Sequence, residues 1–202
     1  KIGEAFLGRM SIIFYKEIGF TKGDIALYSK GLGWITTVVF TLLGGLFAIR
    51  SGVIKAMFVA GILMASTNLL FSALSWYVQT ISLVSYEFNI NLIFKTFYFE
   101  TSNHELFFGL SVVLDDMTAA FATVAFVAFI SMLVDRTYTA TQYALLASIG
   151  TAGRTTLAAS SGAMVDWLNG DWGIFFIITA VMVIPSLIFL YMIKNNIKLS
   201  EK

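Results

Sequence analysis

The sequence predicts an all-α integral membrane protein with six transmembrane helices, on three observations. Of its 202 residues 58% are apolar and only 12% charged, with mean hydropathy +0.83. A soluble domain would carry about twice that charged fraction. Several uncharged runs reach 18 residues or more, such as MTAAFATVAFVAFISMLV after Asp116. Each is long enough to cross the roughly 30 Å hydrocarbon core of a bilayer. A soluble core of this size would alternate apolar and polar residues, and this chain does not.

Composition also excludes several function classes. The net charge is +1, so no strong basic patch calls for nucleic acid. There is no cysteine, which removes disulfides, thiolate metal sites and a cysteine nucleophile. The single histidine, His104, falls in a polar stretch and reads as a solvated loop residue, not a ligand. Neither metal nor cofactor is expected. The opening KIGEAFLGRM lacks a signal-peptide layout and reads as the middle of a longer chain.

The first span, 1–20, is unusual in carrying Glu4 and Arg9. Gly19 to Asp24 makes a turn in which Thr21 or Asp24 caps the next helix. The second span, 26–49, contains Gly44-Gly45, where another helix can approach closely. The third, 56–78, has no charge. The segment 79–105 holds Glu87, Lys95, Glu100 and Glu105 among many aromatics, which reads as an interfacial loop or a short amphipathic helix. Spans four to six are 106–134, 140–165 and 172–193, the last with Pro185 as a tolerable kink. The whole of 1–202 is one six-helix unit.

Lysine and arginine give an orientation. Lys1, Arg50, Lys55, Arg136, Lys194, Lys198 and Lys202 fall on one side, and Lys16, Lys22, Lys30 and Lys95 on the other. The positive-inside rule then puts both termini in the cytoplasm and the 79–105 loop outside. The spans divide into two threes: the first of each carries acids and the last carries no charge. That is the hydropathy trace of inverted three-helix repeats, with charged first spans along a path and uncharged third spans towards lipid.

Charge in lipid costs at least a few kcal/mol and faces a partner or a watery cavity. At 1.5 Å rise per residue, Asp115 lies about 14 Å from the outer face, Arg154 and Arg9 about 16 Å, and Glu4 about 24 Å. Asp115 and Asp116 are about 100° apart on a helix and cannot face one partner equally well. One reading has one of them pair with Arg154 or Arg9 while the other carries a proton, because burial favours the neutral acid. The other reading is a structural interhelical salt bridge.

The run Thr139-Ala140-Thr141-Gln142-Tyr143-Ala144-Leu145-Leu146, continuing to Gly153-Arg154, resembles the F-T-A-T-Q-Y-A-L-L-S-S…G-R signature of AmpG-type muropeptide permeases. Ala125 to Phe129 resembles that family's A-A-F-V-A run, and Asp115-Asp116 falls where the family usually has Glu-Asn. Ser161-Gly162 and Asp166-Trp167 to Trp172 resemble its G…E…G-W segment. Gly3-Glu4-Ala5, Gly19-Phe20-Thr21, Lys30-Gly31 and Gly44-Gly45 extend the match over nearly the whole chain. Asp116 in place of asparagine and Ala119, Ala120 and Ala122 in place of glycine are departures; the alanines should stiffen span four. The 79–105 loop is also longer than the family's.

The resemblance implies the carboxy-terminal six-helix half of a twelve-helix major facilitator superfamily transporter. It implies proton-coupled import of anhydro-muropeptides across the inner membrane for cell-wall recycling, with Glu4, Asp115, Gln142 and Arg154 carried over as path residues. The partners it implies are the lipid bilayer, a disaccharide-peptide substrate, protons, and an amino-terminal six-helix half or a second copy. Rivals are a structural membrane protein or relic half-carrier, and an acyl-CoA carrier of related fold. An embedded enzyme is disfavoured: there is no GxSxG, HExxH or phosphate-binding glycine loop, and Asp115-Asp116 share one helix where an aspartyl protease needs two.

Overall fold

A computed structural model describes residues 2–92, 95–134 and 139–200. The expected cytoplasmic turn at Asp135, Arg136, Thr137 and Tyr138 lies outside the described residues. Helix α1 spans Ile2–Glu17 and α2 Lys22–Ile25, which passes through a π-helical stretch, Ala26–Leu32, into α3, Gly33–Ser51. Helix α4 is Val53–Thr80 and α5 Asn103–Leu133. Then come α6 (Thr139–Ala158), α7 (Ser161–Trp167), α8 (Trp172–Val181) and α9 (Val183–Ser200).

Four helical segments are long and apolar enough to cross a membrane: Lys22–Ser51, Val53–Thr80, Asn103–Leu133 and Trp172–Lys194. The first and fifth expected spans do not qualify on those terms. Helix α1 has 16 residues and carries Glu4, Arg9, Lys16 and Glu17. Helix α6 is rich in threonine, and the pass ends its first helix at Ala158, before α7.

Local chemistry sets the breaks. Gly19 takes φ +101°, with its N–H bonded to the Lys16 carbonyl and the Phe20 N–H to that of Tyr15. That paired closure in a left-handed glycine ends α1. Thr21 then caps α2: its hydroxyl accepts from the Asp24 N–H, and the Asp24 carboxylate accepts from the Thr21 N–H at 2.9 Å. Gly52, at φ +87°, turns α3 into α4. The break between α8 and α9 falls at Met182. It adjoins Val181, the residue whose carbonyl Pro185 crowds and leaves without its helical donor.

The segment 79–105 departs from the expected loop or amphipathic helix. Helix α4 runs on to Thr80, and an antiparallel ribbon follows, β1 (Ser85–Leu92) and β2 (Lys95–Ser102). Its register sets Tyr86 opposite Thr101, Phe88 opposite Phe99 and Ile90 opposite Phe97. Polar and apolar residues alternate with period two through SYEFNINL, which suits a pleated ribbon and not a helix. His104 is likewise not solvated. It is buried at the start of α5, its Nε2 2.9 Å from the Ile81 carbonyl and its ring edge-on to Tyr77.

Two clusters hold the bundle. Near the ribbon, Phe14 of α1, Phe71 of α4 and Trp172, Phe175 and Phe176 of α8 interlock. Towards Gly52, Ala48, Ala56, Ala60, Phe121, Ala122 and Ala125 form a small-residue seam of α3, α4 and α5. Gly44 meets the expectation of close approach: a Cβ there would lie 3.1 Å from the Phe121 Cα. The apolar windows of α4 and of the α8–α9 pass are each 39% buried, against 18% for the α3 segment. Buried polar positions explain this for α4, where Thr67, Asn68, Ser72 and Ser75 recur on the packed face and Ser72 donates to the Gly173 carbonyl at 2.9 Å.

The Trp172 indole N–H donates to the Glu17 carboxylate at 2.7 Å and ties α8 to the end of α1. Trp172→Phe keeps most of the ring packing and removes that bond. It is expected to cost about 1 to 2 kcal/mol, read as a lowered thermal midpoint in detergent.

Candidate functional site

Helix α5 carries the acidic pair into the middle of the bundle. Asp115 is twelve residues from the start of α5 at Asn103, hence about 18 Å along its axis. Glu4 is thirteen residues before the end of α1 at Glu17, about 20 Å from the same end of the bundle. Two shifts close the expected gap: α1 stops at Glu17 and not at residue 20, which lifts Glu4 from its expected depth of about 24 Å, and α5 starts at Asn103 and not at 106, which lowers Asp115 from its expected depth of about 14 Å. The structure brings them into electrostatic reach: the charged groups acting on Asp115 include Asp116 and Glu4.

The two aspartates face different neighbours, as their angular separation requires. Asp115 hydrogen-bonds Thr67 of α4, and Thr67 Oγ1 also lies 3.1 Å from the Met64 carbonyl. The Asp116 carboxylate sits against Gly33 at the head of α3, where a Cβ would come 2.7 Å from Oδ2. Tyr15, buried on α1, feels both carboxylates. Gly3, beside Glu4, lets α1 press against α4 and α8: a Cβ there would lie 2.6 Å from Asn68 Nδ2 and 3.0 Å from the Thr179 carbonyl.

The remaining expected path residues lie outside this cluster. Arg9 is exposed on α1, one to two turns towards the ribbon from Glu4. Gln142 and Arg154 are half-buried on α6, which packs chiefly on α1. Among the described residues, no group of three His, Asp or Glu side chains is placed to hold a metal.

Sequence reasoning missed Tyr15, Thr67 and Asn68. They carry no charge, so a search for charge in lipid passes over them. The available signal was the adjacent Thr67 and Asn68 followed by Ser72 and Ser75, four and then three residues on, along a largely apolar helix.

The resemblance to AmpG-type transporters holds over nearly the whole chain. It is 29% identical over 197 residues, 98% of its length, to a protein of Rickettsia conorii named putative transporter AmpG 4. It is 26% identical over 199 residues to the anhydromuropeptide permease of Escherichia coli, and 27% identical over 184 residues to putative transporter AmpG 1 of Rickettsia prowazekii. These matches cover 41%, 35% and 36% of the relatives, so the chain spans roughly two-fifths of their length. No protein-family model matches the chain. No solved structure matches it.

Proposed function

We propose that this chain is the carboxy-terminal six-helix part of a proton-coupled transporter that imports anhydro-muropeptides across the inner membrane for peptidoglycan recycling. The observation that carries the reading is the cluster of Glu4, Asp115 and Asp116 inside an apolar bundle, in a chain whose relatives are named AmpG transporters and anhydromuropeptide permease. Carboxylates in mutual reach, held among lipid-spanning helices, suit a group that takes up and releases a proton during transport. Gln142 and Arg154, on α6 beside α1, are the proposed contacts to the polar disaccharide-peptide, with the exposed Arg9 further along α1 on the same path.

The proposed plan is that of two inverted three-helix repeats in a major facilitator half, with both termini cytoplasmic and the ribbon outside. Alternating access needs a second six-helix unit, an amino-terminal half or another copy, for this one to rock against. The test is uptake of a labelled anhydro-muropeptide into vesicles carrying the complete transporter, with and without an imposed inward proton gradient. Accumulation that rises with the gradient is expected. Binding and uptake indistinguishable from empty vesicles would favour the rival reading of a structural membrane protein, and uptake of an acyl-CoA instead would move the chain to that related carrier class.

A further inference from the structure

At the end of the bundle opposite the ribbon, two cavities meet. One is an apolar cleft of about 520 Å³ between α3, α4 and α5, lined by Leu43, Leu46, Leu63, Leu114 and Phe121. The other, of about 870 Å³, lies over the Gly52 turn and the end of α9, lined by Lys55, Tyr191 and Lys194. They share Phe47, Arg50 and Ser51, so the apolar cleft opens onto a basic mouth. Lys194 is steadied there, its ammonium 3.5 Å from the centre of the Tyr191 ring. Arg50 and Lys55 are exposed, and no acidic side chain lines either cavity among the described residues.

We propose that this composite cavity binds one anionic phospholipid, with the phosphate held by Arg50, Lys55 and Lys194 and an acyl chain in the leucine-lined cleft. The chemistry selects that occupant. Three cations at the end of membrane helices form a site for an anionic headgroup, and basic pockets between such helices bind lipids of this kind. The cleft behind them is mostly hydrocarbon, with Thr118 its one hydroxyl beyond the shared Ser51, too few polar partners for a sugar-peptide such as the proposed substrate. An apolar helix from elsewhere in a transporter would fill the cleft and leave the three cations without a counter-charge. Leu114 and Met117 flank the aspartates on α5, but none of Glu4, Asp115 and Asp116 lines the cavity, and the proposal does not depend on the proposed cargo.

The test uses the complete protein, purified in detergent and observed by native mass spectrometry with dioleoyl phosphatidylglycerol or dioleoyl phosphatidylcholine added. Retention of one phosphatidylglycerol in preference to phosphatidylcholine is expected. The combined Arg50→Gln, Lys55→Gln and Lys194→Gln variant should lose about a hundredfold in that affinity. A matched Lys16→Gln and Lys22→Gln variant, at the opposite end, should not. Equal retention of the two lipids, or wild-type retention in the triple variant, overturns the proposal.

Dihexanoyl phosphatidylglycerol and glycerol 3-phosphate should bind weakly; binding as tight as the dioleoyl lipid would show a phosphate site without an acyl seat and overturn it. As a measurement independent of purification, p-benzoylphenylalanine in place of Phe47 should cross-link to phospholipid in native membranes. A cross-link to polypeptide at that position would assign the cleft to another helix and overturn the lipid seat.

Discussion

Phe14→Ala is expected to lower stability by about 2 kcal/mol, the cavity part of a buried phenylalanine truncation. Phe14 is fully buried on α1, where three helices meet. Its ring centre lies 4.8 Å from Phe176, 5.3 Å from Trp172 and 6.2 Å from Phe71, with Phe71 and Phe176 in edge contact. In lipid the hydrophobic effect gives no net drive to helix association, because hydrocarbon outside solvates a phenyl ring as well as the interior does. What Phe14 contributes is therefore shape: dispersion contacts and edge-to-face geometry that a void cannot replace. Helix α1 needs this more than its neighbours, being only 16 residues long and bearing four charged side chains.

The expected readout is a strongly lowered midpoint of thermal aggregation in detergent, with Phe14→Leu falling between the two. A midpoint for Phe14→Ala matching the parent protein would show that α1 is held by something else, and would demote the aromatic cluster.

Much of this was legible in the residues. Hydropathy runs located four long helices, Gly44 marked the α3–α5 contact, and Thr21 with Asp24 marked a cap. Legibility failed where one local signal outweighed another. In 79–105 the density of charge and aromatics pointed to an interface, while the period-two alternation of Tyr86, Phe88 and Ile90 pointed to a strand. The pairing in the ribbon follows that alternation. His104 was misplaced for the same reason: a polar neighbourhood in sequence says nothing about Ile81 and Tyr77, which chain reversal brings to it.

The depth of Glu4 failed by three residues, because the paired closure at Gly19 ends α1 earlier than hydropathy does. That small error hid the main feature of the site. With α1 ended at Glu17 and α5 begun at Asn103 and not at 106, Glu4 and Asp115 share a level, and an acidic pair becomes a cluster of three. Thr67 and Tyr15 were illegible for a different reason. Their role comes from what they face across helices, and no charge or motif announces it.

Asp115→Asn is expected to abolish proton-driven accumulation while leaving substrate equilibration across the membrane. Each pH unit across the membrane is worth about 1.4 kcal/mol per proton, a factor of about ten in accumulation if one proton moves with each substrate. An uncoupled carrier takes none of that free energy, so its internal and external substrate concentrations become equal. Asp115 is the residue of choice because its fields and contacts join three helices: Glu4 on α1, Thr67 on α4 and its own neighbour Asp116 on α5.

The Thr67 hydroxyl has one proton and two partners, the Met64 carbonyl and Asp115. With that proton given to Met64, Thr67 accepts from a carboxylic acid; with it turned to Asp115, Thr67 donates to a carboxylate. The hydroxyl rotor thus accommodates either state of the acid without moving a helix. Asparagine preserves size and can satisfy the same hydroxyl, so loss of coupling in Asp115→Asn would report the proton and not the fold. Asp116→Asn, against the Gly33 backbone, should reduce coupling less, and Asp115→Glu should retain part of it. If instead Asp115→Asn accumulates substrate as the parent does but unfolds at lower temperature, the carboxylate is a structural tie between helices and the proton runs elsewhere.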